Sequence, residues 1–254
     1  MAQKQRYRAV VEYDGTEFQG FQIQAKGRTV QGDIERCLQQ VTQSAVRIEG
    51  AGRTDAGVHA TGQVIAFGVS WRHSLEDLQR ALNATFPSDI VVSDLQPTTS
   101  AFHPRFSALS RTYRYQIQNQ PWPNVLLRLY AFNVRKKLDV PAMARASRLL
   151  IGSHDFASFG KPPQGNNTVR QVMQAGWSVL DDNRLVFSIT ANAFLYRMVR
   201  TIVGTLIQVG LGRLTQSDFA EILRSGDLTR SAPPAPAHGL CLIQVTYPEG
   251  FTAG

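Results

Sequence analysis

Apolar periodicity along this chain switches between the two-residue repeat of strands and the longer repeat of helices in one fixed order, and that order occurs twice. From Arg6 to Tyr13 apolar and polar residues alternate as on a half-buried strand, and Val30, Ile34, Cys37, Leu38 and Val41 then recur at helical spacing. A short strand at Val46 to Glu49, a strand at Gly62 to Val69, a helix from Ser74 to Phe86 with Ser74 as its N-cap, and a strand at Ile90 to Leu95 follow. The second half repeats the scheme: strand Ser107 to Gln118, helix Pro141 to Leu150, strands Val172 to Leu180 and Arg184 to Ala191, a long helix Phe194 to Gly210, and strand Leu240 to Tyr247. Each half reads β-α-β-β-α-β, a pair of split β-α-β units. The expected fold is α+β: two ferredoxin-like halves, residues 1–104 and 105–254, joined into a central antiparallel sheet with helices on one face and an active-site cleft on the other. Gln120 to Val125 and Lys161 to Thr168, rich in Pro, Asn, Gly and Gln, read as loops, the first as part of a longer insertion.

With 254 residues, of which 43% are hydrophobic, the chain can bury a substantial core, which argues against extended disorder. Lys and Arg number 27 against 19 Asp and Glu, a net charge of +8. That balance suits a polyanionic partner, and equally a solvated basic surface. Cys37 and Cys241 lie far apart in apolar-periodic segments and read as small buried hydrophobes. The start, MAQKQRYRAV, lacks the apolar core of a signal peptide, so a cytoplasmic location is expected. No membrane role is expected either, because Arg197, Arg200 and Gln208 interrupt the one long apolar segment.

Three places can carry chemistry. The run Gly50-Ala51-Gly52-Arg53-Thr54-Asp55-Ala56-Gly57-Val58-His59 sits between two expected strands, and its glycines permit close backbone approach. Taken alone, Asp55 reads equally as a turn residue or a cap. The Phe194 to Gly210 helix is apolar nearly all round, so it should be buried, and a buried guanidinium requires an anionic partner. Arg200 then pairs with Asp55, pairs with another acid, or reaches the surface; the first choice would keep Asp55 ionised. The third place is Phe102-His103-Pro104-Arg105-Phe106-Ser107 followed by Arg111-Thr112-Tyr113-Arg114-Tyr115. Strand alternation puts Arg111, Tyr113 and Tyr115 on one face, an arrangement of rings and cations that can hold an unstacked base or, for Tyr115 especially, can belong to a core.

These segments together are closely similar to the tRNA pseudouridine synthase A family. The similarity rests on Tyr13-Asp14-Gly15-Thr16 with Phe18, Gly20, Phe21 and Gln22, on Arg28-Thr29-Val30-Gln31, and on the Ala51 to His59 run. It continues through Phe102 to Ser107, Tyr113-Arg114-Tyr115, Asp155-Phe156-Ala157-Ser158-Phe159, Phe194-Leu195-Tyr196-Arg197-Met198-Val199-Arg200 and Gly239-Leu240-Cys241-Leu242. The resemblance implies an isomerase that converts uridines of the tRNA anticodon stem-loop, at tRNA positions 38, 39 and 40, to pseudouridine. It implies Asp55 as the catalytic aspartate with Arg200 paired to it, Tyr113 beside the flipped base, and Arg53 filling the space the base leaves. It further implies a homodimer that holds tRNA across both subunits. Arg105, Arg111 and Arg114 are the candidates for phosphate contacts.

Moving a glycosidic bond within one nucleotide needs no redox change or external energy, so no cofactor and no metal is expected. Phosphate-loop, dinucleotide and Cys/His metal signatures are also missing from the sequence. Two other classes compete, a non-catalytic RNA binder and a hydrolase of small nucleosides or glycosides. An acid among arginines argues against the first, and release of free uracil would identify the second.

Overall fold

A computed structural model describes residues 4–162, 165–180 and 183–251. Residues 163 and 164 of the expected Lys161 to Thr168 loop, and residues 1–3 of the amino-terminal stretch, lie outside the described residues. In chain order the regular elements begin with β1 (Gln5–Tyr13), α1 (Val30–Thr42), β2 (Glu49–Gly50), β3 (His59–Val69), α2 (Leu75–Thr85) and β4 (Ile90–Pro97). They continue with β5 (Ser110–Gln118), β6 (Phe132–Asn133), α3 (Val140–Arg148), β7 (Gly152–Asp155), β8 (Val169–Val179), β9 (Arg184–Ala191), α4 (Met198–Gly210), α5 (Gln216–Ser225) and β10 (Leu240–Thr246). The chain is a mixed α+β protein with a large, mostly antiparallel sheet. It divides into unit 1, Met1–Leu109 with Leu242–Gly254, and unit 2, Ser110–Cys241.

In unit 1 the strands run β4-β1-β3-β10, with β2 paired to β3. Tyr7, Ala9, Val11 and Tyr13 of β1 are buried and register opposite Phe67, Ile65, Gln63 and Ala60 of β3. Antiparallel partners point to the same face, so these residues form one buried wall, apolar but for the amide of Gln63. Helix α1 supplies Val30, Ile34 and Leu38 to the core and α2 supplies Leu78 and Leu82. Both helices start on the cap the sequence provides: Thr29 accepts the Gly32 N–H and Ser74 the Asp77 N–H.

Unit 2 orders its strands β5-β9-β8-β7, with β6 added in parallel to β5. Tyr113 and Tyr115 register opposite Ile189 and Phe187, so they share the buried face. Thr112 registers opposite Thr190 and Arg114 opposite Ser188, which places them on the other, polar face. Helices α3, α4 and α5 pack on one another.

Helix α4 departs from the sequence expectation. It begins at Met198 rather than Phe194, because Arg197 takes a left-handed conformation (φ 61°) and Tyr196 forms a β-bridge with Lys161. The approach is close: a Cβ on Gly160 would lie 2.6 Å from the Tyr196 carbonyl oxygen. Tyr196 thus gives its N–H to the Lys161 carbonyl at 2.9 Å instead of to a helical turn, and the Arg197 carbonyl accepts the Thr201 N–H at 3.0 Å as α4 begins. From Met198 onward the burial expectation holds: 11 of the residues of α4 are buried, leaving Arg200 and Gln208 partly exposed. Helix α5 was not expected, yet Thr215 and Asp218 form a reciprocal capping box and Gly226 ends it at φ 65°. No helix among the described residues is long and apolar enough to cross a membrane.

Candidate active site

Unit 1 carries Asp55, Arg53 and Arg105; unit 2 carries Tyr113, Arg111, Arg114 and Arg200. The Asp55 loop joins β2 to β3 and offers little apolar surface, so hydrogen bonds must fix it. Gln63, fully buried on β3, accepts from the Gly52 N–H at 3.2 Å and donates to the Gly52 carbonyl at 2.9 Å. Thr54 is buried, with its hydroxyl 2.7 Å from that of Tyr13, and its carbonyl accepts the Phe21 N–H at 3.1 Å. Gly57, at φ 75°, donates to the Phe18 carbonyl at 3.3 Å, and the Asp55 carbonyl accepts from Val58 N–H at 3.2 Å. The loop is therefore tied on both sides of Asp55, which is half-buried, whereas Arg53 is exposed.

The Tyr13 to Gln22 block is the platform beneath this loop, a role the sequence does not announce. A Cβ on Gly15 would fall 2.0 Å from the Val58 carbonyl oxygen, and one on Gly20 (φ 94°) would fall 2.8 Å from that of Thr54. Only glycine allows these approaches. His59 Nδ1 lies 3.0 Å from the Gly15 nitrogen and 3.1 Å from Asp14 Oδ1. Asp14 Oδ1 also accepts from the Thr16 N–H and hydroxyl, and the Gly15 N–H donates to His59 Nδ1.

Beneath the platform, Arg28 grips Asp89 with two nitrogens at 2.6 and 2.8 Å and Asp33 with Nε at 2.7 Å, while its guanidinium lies 4.2 Å from the centre of the Phe18 ring. The Asp89 bond, with the Asp33 contact beside it, pushes the arginine pKa upward against its partial burial. The Asp89 carbonyl also accepts the Asp14 N–H at 3.1 Å, so one ionic clamp supports both ends of the platform.

In unit 2 the candidate residues Arg111, Tyr113 and Arg114 sit on β5 and Arg200 on α4. The Tyr113 ring meets Phe194 edge-on, with centroids 5.1 Å apart, using the phenylalanine released from α4. Tyr115 is fully buried and its hydroxyl donates to the Pro236 carbonyl at 2.8 Å, so it belongs to the core. Burial raises the Tyr115 pKa, and the charge of Arg200 opposes that rise. Arg200 Nε donates to the Ala235 carbonyl at 2.7 Å, and the Ala235 N–H returns a bond to the Arg200 carbonyl at 2.9 Å. Arg111 is buried and donates to the Asn192 carbonyl, whereas Arg114 is exposed on the polar face. Arg105, in unit 1, is half-buried beside the exposed Phe106 ring at 5.6 Å.

Known proteins match this sequence over most of its length. The family described as tRNA pseudouridine synthase matches residues 9–107 and 146–248. A tRNA pseudouridine synthase A of Roseiflexus castenholzii is 47% identical over 246 residues, covering 96% of this chain and 91% of that protein. Proteins of the same name from Chloroflexus aurantiacus and Shouchella clausii are 45% and 42% identical, covering 95% and 93% of this chain and 88% and 91% of their own lengths. Joined by so much shared sequence across both units, this chain belongs to the tRNA pseudouridine synthase family.

Proposed function

We propose that this protein is an isomerase that converts uridines in the anticodon stem-loop of tRNA, at the three positions named above, to pseudouridine, with Asp55 as the catalytic carboxylate. The observation that carries the reading is the Asp55 loop itself, a family-specific run whose backbone is tied at Gly52, Thr54 and Gly57 while the aspartate between them stays half-buried. A carboxylate held this way presents a fixed oxygen to a reacting carbon.

The reaction begins by swinging the target nucleotide out of its helix, at a cost of a few kcal/mol. Arg53, exposed on the loop, fills the vacated space, and Tyr113 lies against the base. Arg200 is the cation that pairs with Asp55 during the reaction. Asp55 either adds to the ribose anomeric carbon as its bond to N1 breaks, or removes a ribose proton to give a glycal. In both routes uracil leaves with the bonding pair and turns; C5 then bonds to the same carbon as the bond from that carbon to Asp55 breaks in the first route, or as Asp55 returns the ribose proton to the glycal in the second. C5 then loses its proton and N1 gains one, so the atoms of the nucleotide are conserved and no cofactor enters the balance. Arg105, Arg111 and Arg114 position phosphates, Arg114 being the most accessible of the three. The protein works as a cytoplasmic homodimer with one tRNA held across both subunits.

The decisive experiment incubates purified wild type and Asp55→Asn with unmodified tRNA and maps pseudouridine by position. Wild type forms it without releasing free uracil, and the variant binds tRNA yet forms none. Pseudouridine formation by Asp55→Asn at the wild-type rate would remove Asp55 from the mechanism.

A further inference from the structure

The segment Phe132–Lys136, helix α4 and the Ala232–Pro236 stretch enclose a groove of about 430 Å³, entirely within unit 2. A volume of this size falls among cavities that hold small ligands, roughly 300–1,000 Å³. Its lining is mostly apolar, with Phe132, Ile207, Leu211 and Pro234 among the wall residues, and it carries two cations, Arg135 and Lys136. The wall is built by close approach, since a Cβ on Gly204 would sit 2.2 Å from the Pro233 carbonyl oxygen.

Arg135, Lys136 and the following Lys137 are exposed and, among the described residues, take part in no ion pair. Cations left without internal acids, beside an aromatic ring and proline faces, match a nucleotide: a base lies on the flat surface and a phosphate meets the cations. A second copy of the chain fits less well, because a two-fold contact through this groove would bring identical positive rims together. The groove wall also reaches the proposed catalytic machinery, for Ala235 is the residue that exchanges two hydrogen bonds with Arg200. These cations fall in residues 108–145, between the two stretches that the family profile matches.

We propose that this groove binds an unpaired nucleotide of the tRNA substrate other than the uridine being isomerised. The proposal rests on the tRNA reading above and adds a second, non-catalytic anchor to it. The occupant bears on Arg200 through the Ala232–Pro236 wall, so filling the groove steadies the arginine while the target base is processed.

The test compares wild type with the double variant Arg135→Ala/Lys136→Ala, with Leu211→Glu on the apolar wall, and with Arg72→Ala as an exposed control outside the groove. Affinity for unmodified tRNA is measured from low to moderate salt alongside kcat and KM, and the mass of each protein in solution is recorded. The double variant is expected to raise KM about tenfold, with a smaller effect on kcat, and to flatten the slope of log Kd against log salt by about 1 to 2. Leu211→Glu raises KM with a smaller change in slope, Arg72→Ala changes neither, and restoring the charges as Arg135→Lys/Lys136→Arg recovers most of the affinity. Unchanged KM and salt slope in both groove variants would overturn the proposal, as would loss of dimer mass with tRNA affinity intact, which would give the groove to a second copy. A wild type that shows the groove-dependent slope yet makes no pseudouridine would leave the groove standing and strike the catalytic assignment instead.

Discussion

The Asp55 loop of unit 1 and the Tyr113 and Arg200 positions of unit 2 solve the same problem with different forces. A glycine-rich loop has almost no apolar surface to bury, so Gln63, Phe18 and Phe21 hold it through hydrogen bonds to its backbone, and Tyr13 through one to the Thr54 hydroxyl. Tyr113 and Arg200 inherit their placement from a strand and a helix that the core already orders, with an edge-on ring at Tyr113 and two bonds exchanged between Arg200 and Ala235. Hydrogen bonds fail steeply when a partner is lost, because the remaining buried group goes unsatisfied, whereas packing fails in proportion to the volume removed. Unit 1 should therefore be the more brittle of the two.

The largest effect is expected where the brittleness is steric. Gly15→Ala would put a methyl 2.0 Å from the Val58 carbonyl oxygen, with backbone on both sides and no flexible side chain to yield. Stability should fall by about 3 kcal/mol or more, and pseudouridine formation by over about a hundredfold in the folded fraction, because the Asp55 loop must lift off its platform. Gly204→Ala makes a comparable clash, 2.2 Å from the Pro233 carbonyl oxygen, but on a stretch that bonds to Arg200 and carries none of the Asp55 loop. Its loss of activity should be smaller than that of Gly15→Ala. Denaturant melts and single-turnover rates on the two variants decide the comparison, and an order of effects opposite to this one refutes it.

Next in size is Gln63→Leu. The side chain is fully enclosed and spends both ends of its amide on Gly52, so leucine keeps the volume and leaves the Gly52 N–H and carbonyl without their partner. A loss of roughly 2 to 3 kcal/mol is expected, with kcat lowered more than KM is raised. A variant with wild-type kcat would show that the loop holds its geometry without the latch.

How much of this was legible in the sequence follows from the range of the interactions involved. The loop announced itself because three glycines around Asp55 are a local signal, and most strands and helices were readable because periodicity is local too. The latch was not, since Gln63, Tyr13 and His59 act across 11, 41 and 44 residues respectively. The start of α4 was misplaced for the same reason: Phe194 and Leu195 continue an apolar pattern, and only the contact with Gly160 and Lys161 tells the backbone not to coil there. Helix α5 is the opposite case. Thr215, Asp218 and Gly226 spell a start and a stop in the sequence, and Phe219, Ile222 and Leu223 give the buried face. Strand β7 left little trace, being four residues of Gly, Ser, His and Asp that become a strand only by pairing with β8.

A smaller effect is expected at the clamp under the platform. Arg28→Lys keeps the positive charge but gives up the two-pronged grip on Asp89 and the flat cation over Phe18. With a third of the arginine side chain open to solvent, screening limits the loss to roughly 1 to 2 kcal/mol. If Arg28 positions the loop, kcat falls several-fold while tRNA KM stays near the wild-type value, and the double variant Arg28→Lys/Asp89→Asn is less harmful than the sum of its parts. Additive losses would make the clamp a mere stabiliser of the surface.

The finest test lies in unit 2, at the buried hydroxyl of Tyr115. Tyr115→Phe removes only the bond to the Pro236 carbonyl and leaves the ring in place, so at neutral pH it should cost about 1 kcal/mol. Burial favours the neutral phenol, which places the folded pKa above the unfolded value of about 10. The stability this hydroxyl contributes is then fully present below pH of about 10 and drains away as pH climbs beyond it, because the unfolded chain releases the proton first. Phenylalanine has no proton to release, so the wild-type stability curve should fall more steeply than that of Tyr115→Phe between about pH 10 and 11, and the two should converge. Urea midpoints measured at intervals across that range check the sign. Parallel curves would mean that Tyr115 meets water in the folded state, and that unit 2 holds Arg200 by something looser than the packed core described above.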